Sequence, residues 1–254
     1  MCAKKICPVL FISFLLFQPG SVTAQTYDYE LGLNLGAYLY QGDLSPQRLG
    51  SFKTIRPGIG ISFAKPLSNT FSVRGIFNLA SLKGDEAKYS EPEYRQHRAF
   101  AFKTSVKELG VHLQYNILGN REYWPTIEPY VFAGISAAFM NTKKDFSNFD
   151  GEYFGEARAG EIQALLAEDN AERNRRTVLN LPVGLGFRFN LNSTWAIGTE
   201  ANFRFGGSDY IDGYSLSVNP AKKDHFFSQH VGVVYRMGSG KKGGRGKLGC
   251  PAVN

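Results

Sequence analysis

Tyr29-Glu30-Leu31-Gly32-Leu33-Asn34-Leu35-Gly36-Ala37-Tyr38-Leu39-Tyr40 alternates without a slip: Leu31, Leu33, Leu35, Ala37 and Leu39 fall on one side, Glu30, Gly32, Asn34, Gly36 and Tyr38 on the other. A period of two belongs to a β-strand, whose successive side chains leave opposite faces. The pattern recurs about eight times between turn-rich segments, and its apolar side carries almost no charge. A soluble antiparallel sheet hides that side on a core, whereas a transmembrane barrel turns it to lipid and keeps the polar side within.

Strands are expected near 28–41, 56–66, 70–83, 100–117, 127–141, 178–190, 194–206 and 226–236, an even number suited to antiparallel closure. Their connections alternate between long and short: Leu67-Ser68-Asn69, Leu118 to Thr126 and Leu191-Asn192-Ser193 are the compact ones. Long loops at one end and short turns at the other is the asymmetry of outer-membrane barrels, whose short turns face the periplasm. The prediction is therefore an all-β, eight-stranded antiparallel transmembrane β-barrel in a bacterial outer membrane, with outer-membrane lipid as its surroundings. Outward positions include Ile59, Ile61, Phe63, Leu109, Val111, Leu113, Leu181, Val183, Leu185, Val231 and Val233. Tyr29, Phe63, Phe71, Tyr115, Phe189, Trp195 and Tyr235 gather at the periplasmic strand ends, as an interfacial aromatic belt requires. Within the third long loop, the helix formers between Phe154 and Arg175 predict a short exposed helix.

Working outward from the barrel at 25–237, residues 1–24 read as an export signal: Lys4 and Lys5, an apolar run from Val9 to Phe17, and the small-residue site Val22-Thr23-Ala24. That run is far short of the roughly 20 residues a membrane-spanning helix needs. Removal of the signal takes Cys2 and Cys7 with it and leaves Cys250 without an intramolecular partner. Residues 238–254 form a flexible basic tail placed in the periplasm, holding Lys241, Lys242, Arg245 and Lys247 of a chain whose net charge is +7. In that compartment a basic tail meets solvent, headgroups or proteins, and no nucleic acid is expected as a partner. The tail's glycines lack the spacing of a phosphate loop.

The inward face carries Glu30, Glu108, Glu128 and Glu200 with Arg56, Arg74, Arg188 and Arg204, four acids against four guanidinium groups. An enclosed polar interior needs such a balance, because a buried charge without a partner is expensive. Eight strands leave room only for side chains, so the barrel is expected to be plugged. Glu108 and Glu200 admit a paired-carboxylate site, but an arginine for each acid favours a structural salt-bridge network. His112 beside Glu108 has the form of a base and its orienter, but the favoured reading is a hydrogen-bonded interior histidine. His97, His225 and His230 show no ligand spacing, and Asp209-Tyr210-Ile211-Asp212-Gly213 lacks the remaining ligands of a calcium loop. No catalytic residue, cofactor or metal site is predicted.

Glu30-Leu31-Gly32 with Tyr40-Gln41-Gly42-Asp43-Leu44, Arg56-Pro57-Gly58-Ile59-Gly60, Phe71-Ser72-Val73-Arg74, the block Phe102 to Leu109, Pro129 to Gly134, Leu181 to Gly186 and Asp209-Tyr210-Ile211-Asp212 follow in an order that resembles the PorG-like outer-membrane barrel family associated with type IX secretion. The segment Lys143 to Arg176 and the ending Cys250-Pro251 depart from that pattern. The resemblance implies a non-enzymatic accessory or anchoring component of the type IX machine, with periplasmic or outer-membrane secretion proteins as partners. Three other readings compete. One is a general outer-membrane structural protein or adhesin. The second is a lipid-modifying enzyme using Ser228 and His230, both inward by the expected register. The third is a soluble lipocalin-like barrel with its apolar face inside.

Overall fold

The computed structural model describes residues 28–46, 50–119, 126–171, 175–207, 211–218 and 223–238. The export signal and nearly all of the basic tail lie outside these residues, as do Asp209 and Tyr210. The strands are β1 Tyr29–Gln41, β2 Arg56–Pro66, β3 Phe71–Asp85, β4 Ala101–Asn116, β5 Ile127–Asp145, β6 Arg175–Asn190, β7 Trp195–Gly206 and β8 His225–Met237. Each pairs antiparallel with its sequence neighbours, and β1 pairs with β8 from Tyr29↔Met237 to Gln41↔His225, so the sheet closes in the order β1 to β8. Closure leaves no edge strand exposed, which is what a strand structure in hydrocarbon requires.

The alternation sorts the two faces. Leu31, Leu33, Ile61, Leu109, Val111, Ile135, Leu181, Leu185 and Val231 are exposed on the outside. Glu30, Glu108, Glu128, Arg188 and Arg204 are buried within. The inverted, lipocalin-like arrangement is thereby overturned, since Leu33 keeps 49% of its surface exposed while Glu108 keeps none. No helix among the described residues is long and apolar enough to cross a membrane. At one rim Tyr29 stacks on Phe63 with 5.3 Å between ring centroids, Phe71 lies 5.2 Å from Tyr115, and Trp195 lies 4.8 Å from Tyr235.

The short turns are built by their sequences. Between β6 and β7, Asn192 Oδ1 accepts from the amides of both Thr194 and Trp195 at 2.8 Å, an Asx turn. Between β2 and β3, Ser68 Oγ accepts from the Phe71 amide at 3.0 Å. Gly134 is required by close approach: a Cβ there would lie 2.1 Å from the Val111 carbonyl oxygen. Pro182 sits opposite and has no amide hydrogen, and the β5–β6 pairing passes from Ala133↔Val183 to Ser136↔Asn180.

Three expectations change. First, β5 and β6 run further than 127–141 and 178–190, because backbone pairing continues above the level where the lipid-facing alternation stops. Second, the helix expected between Phe154 and Arg175 is present as α3 Glu156–Ala171, mostly exposed but longer than expected and anchored by buried Ala159, Leu166 and Asp169, and α2 Gly151–Phe154 precedes it. Third, Leu39, assigned to the lipid face, is only 4% exposed, with Gly50 of the first long loop folded against it. The second long loop adds α1, Tyr94–Arg98.

Candidate functional site

The interior divides into three levels. Nearest the short turns, Glu30 accepts from Arg188 at 3.0 Å and from Arg236 at 3.3 Å, while Arg236 also reaches Glu128 at 3.0 Å. Arg188 also donates to Gln114 Oε1 at 3.1 Å, and Asn190 to Glu128 at 2.9 Å. At the next level Arg74 meets Glu200 at 2.6 Å, Tyr130 donates to the same carboxylate at 3.0 Å, and His112 Nδ1 lies 3.1 Å from Arg74. Above that, Arg204 Nε spans both oxygens of Glu108 at 2.8 and 2.9 Å and its Nη1 donates to Ser228 at 2.7 Å. Asn78 and Ser136 complete the Glu108 shell at 2.9 and 2.8 Å.

Seven of the eight residues expected in the charge network occupy these levels. Arg56 does not join them: it is half-buried near the mouth, its Nε has no hydrogen-bond partner among the described residues, and Arg236 supplies the fourth interior guanidinium. Arg236 was legible, because Tyr235 points outward and its neighbour must point in. Glu108 and Glu200 are each engaged by their own arginine rather than by one another, and His112 bonds to Arg74 and stacks 4.9 Å from Phe132 rather than serving Glu108. Ser228 and His230 both point inward, Ser228 to Arg204 and His230 Nε2 to the Tyr38 hydroxyl at 3.1 Å, so neither addresses the lipid face. Among the described residues, no three His, Cys, Asp or Glu side chains gather as metal ligands. The void lined by Glu30, Arg74, Arg188, Glu200 and His230 measures about 20 Å³, room for about one water.

Toward the long-loop end the interior turns apolar. Tyr38, Tyr40, Leu82, Phe100, Phe102, Val106, Met140, Val178 and Phe226 form one cluster with Leu44, Leu166, Ile211 and Tyr214 from the loops. The long loops thus form a cored cap over the barrel mouth. Its polar fastenings are specific: buried Asp169, near the end of α3, accepts from the amides of Ser215, Leu216 and Ser217 and from the Ser217 hydroxyl at 2.6 Å, tying the third loop to the fourth. Tyr214 donates to the carbonyls of Ala101 and Asp145 at 3.0 and 3.1 Å, and burial raises its pKa. In the second loop, buried Glu86 takes Arg95 at 3.0 Å and Arg98 at 2.5 Å. Burial opposes the Arg98 charge, but Glu86 outweighs it and holds its pKa above the ordinary value. His97 stacks on Tyr153 at 3.8 Å and bonds to Asp150 at 2.9 Å, joining the second and third loops.

The arrangement can do one thing well: hold a rigid, closed wall in lipid. A closed β-barrel with an apolar exterior, a salt-bridged interior and an aromatic rim is a transmembrane barrel of the bacterial outer membrane.

Residues 6–233 match the family model described as Domain of unknown function (DUF6089). No curated protein matches the chain. Among solved structures it is similar to Ail, the attachment invasion locus protein of Yersinia pestis, at 12% identity and a TM-score of 0.45, covering 83% of this chain and 99% of that one. It is also similar to Neisserial surface protein A, at 12% identity and 0.46, covering 82% and 97%. For the outer membrane protein OprG of Pseudomonas aeruginosa the values are 10%, 0.42, 84% and 97%.

Proposed function

The chain belongs to the DUF6089 family, and on that premise we propose that it is a non-enzymatic anchor in the outer membrane, an accessory component of the type IX protein secretion system. The observation that carries the anchoring role is the filled interior. Ion pairs from Glu30 to Arg204 occupy the lumen, and the void among them is about 20 Å³, so the barrel has no path for a folded cargo. A wall without a pore contributes position rather than transport. The type IX assignment rests on the ordered sequence blocks from Glu30 to Asp212 that resemble the PorG-like family. The short turns and the basic tail after Met237 are the segments that would meet periplasmic or outer-membrane secretion proteins.

Deletion of the gene, followed by quantitation of type IX cargo at the cell surface, tests this reading. Loss of surface cargo, restored by the full chain and accompanied by co-purification of secretion proteins from detergent extracts, supports it; normal secretion ends it.

A second reading, a structural protein or adhesin, is favoured by the cored cap, which presents Phe52 at 79% exposure with Tyr94 and Tyr153 also exposed. A deletion strain that secretes normally but attaches poorly would select it.

A further inference from the structure

The outer face of β3, β4 and β5 changes character at one level. Below it the outward positions are apolar: Leu79, Leu109, Ile135 and Phe139 are all well exposed. Above it stand Ser81 and Lys83 on β3, Ser105 and Lys103 on β4, and Asn141 and Lys143 on β5, while Lys107 of β4 lies at the boundary itself. The register aligns them: Ser81↔Ser105↔Asn141 and Lys83↔Lys103↔Lys143 are direct cross-strand partners, and Lys107 faces Leu79 and Phe139. Three lysines therefore stand abreast on adjacent strands with a fourth beneath the middle one.

Like charges placed directly opposite destabilise a sheet. Lys83 is relieved by Asp85 at 2.9 Å. Lys103, Lys107 and Lys143 are exposed and form no ion pair among the described residues. The other acid on this face, Asp145, is engaged by the amide and hydroxyl of Ser147 at 3.1 and 2.7 Å. On β7 and β8 the outward positions toward the long loops are Phe205, Phe227 and Gln229. A general need for solubility would distribute cations around the whole rim; among the described strands they gather on β3, β4 and β5, with Arg175 of β6 in register with Asn141 beside them, while the outward positions of β7 and β8 carry none.

We propose that this face binds a multiply phosphorylated glycolipid of the outer leaflet, its phosphates on Lys103, Lys107 and Lys143 and its acyl chains on Leu79, Leu109, Ile135 and Phe139. The ligand must be amphipathic, since the cations sit directly on the hydrocarbon boundary. It must carry more than one anionic group, since Lys103 and Lys107 are four residues apart, about 13 Å along a strand. Ser81, Ser105 and Asn141, between the two cationic levels, offer hydrogen bonds to sugar hydroxyls.

The test uses the full chain in phosphatidylcholine nanodiscs supplied with a bis-phosphorylated glycolipid, with its enzymatically dephosphorylated form, or with inorganic phosphate. Native mass spectrometry counts retained lipid, and the unfolding temperature reports stabilisation. Wild type should retain the phosphorylated form and be stabilised by it. With about 1 kcal/mol per lysine near a charged surface, K103Q/K143Q should reduce retention about 10- to 30-fold. K103R/K143R, and K65Q at the periplasmic end, should retain it, and unchanged heat-dependent gel mobility verifies that each variant is folded. Equal retention of the dephosphorylated lipid, undiminished retention by K103Q/K143Q, or equal stabilisation by inorganic phosphate each overturns the proposal.

Discussion

Removing the guanidinium of Arg204 strands a buried carboxylate. Arg204 and Glu108 are both fully buried, and Arg204 gives Glu108 two contacts at 2.8 and 2.9 Å and Ser228 a third at 2.7 Å. Arg204→Met keeps much of the side chain's length and deletes all three. Glu108 then keeps only neutral donors, Asn78 and Ser136, and its charge stays enclosed without a cation. Breaking one side of a buried pair costs about 3–5 kcal/mol, a shift of roughly 10²- to 10³-fold or more in the unfolding equilibrium. Glu108→Gln added to Arg204→Met removes the stranded charge while keeping an acceptor for Asn78 and Ser136, so the double variant should recover most of the loss. Urea unfolding in lipid vesicles, followed by the fluorescence of Trp124 and Trp195 and by heat-dependent gel mobility, measures each free energy. A loss below about 1 kcal/mol for Arg204→Met, or a double variant no more stable than the single one, would refute the idea that charge pairing, rather than side-chain volume, holds the interior.

Leu33→Arg places a cation on the lipid-facing side of β1 and should cost about 2–4 kcal/mol in vesicle unfolding, whereas Tyr29→Arg at the rim should cost about 0–1 kcal/mol; equal losses would contradict the assigned hydrocarbon level. Leu166→Ala, a truncation beneath α3, should remove about 2–5 kcal/mol of cap packing, seen as faster proteolysis within 156–171 while the barrel's gel mobility stays unchanged. The His97 hydrogen bond, with help from the Tyr153 amide, holds Asp150 below its ordinary pKa. Because the folded value lies below the unfolded one, the contribution of this clasp is complete above about pH 4 and is lost as pH falls through the lowered value. Ring chemical shifts of His97 and Tyr153 followed from pH 6 to pH 2 should report the loss, and Asp150→Asn should abolish that transition. The filled lumen predicts that the purified protein shows no steady conductance in planar bilayers, and a stable open channel would contradict it.

Most of the barrel could be read from side-chain period alone. Strand 56–66 matches its observed bounds, and the others differ at one or both ends, chiefly where β5 and β6 rise into the cap. Leu39 was misplaced for a related reason: its alternation is that of a lipid-facing residue, but Gly50 returns to cover it. The charge network was legible as a set of residue types and only partly as a set of partners. Which acid meets which arginine depends on stagger around the cylinder, as in the Glu30–Arg188 pair, whose members lie 158 residues apart.

Strand period, turn chemistry and charge content determined by themselves that this chain closes into a cylinder with hydrocarbon outside and ion pairs within, because lipid permits no unpaired backbone and no unpaired charge. Only the tertiary structure decided that the long loops form a second, apolar core above the membrane and that Lys83, Lys103 and Lys143 stand side by side. Both outcomes depend on register and on loop docking, and neither leaves a periodic trace along the chain.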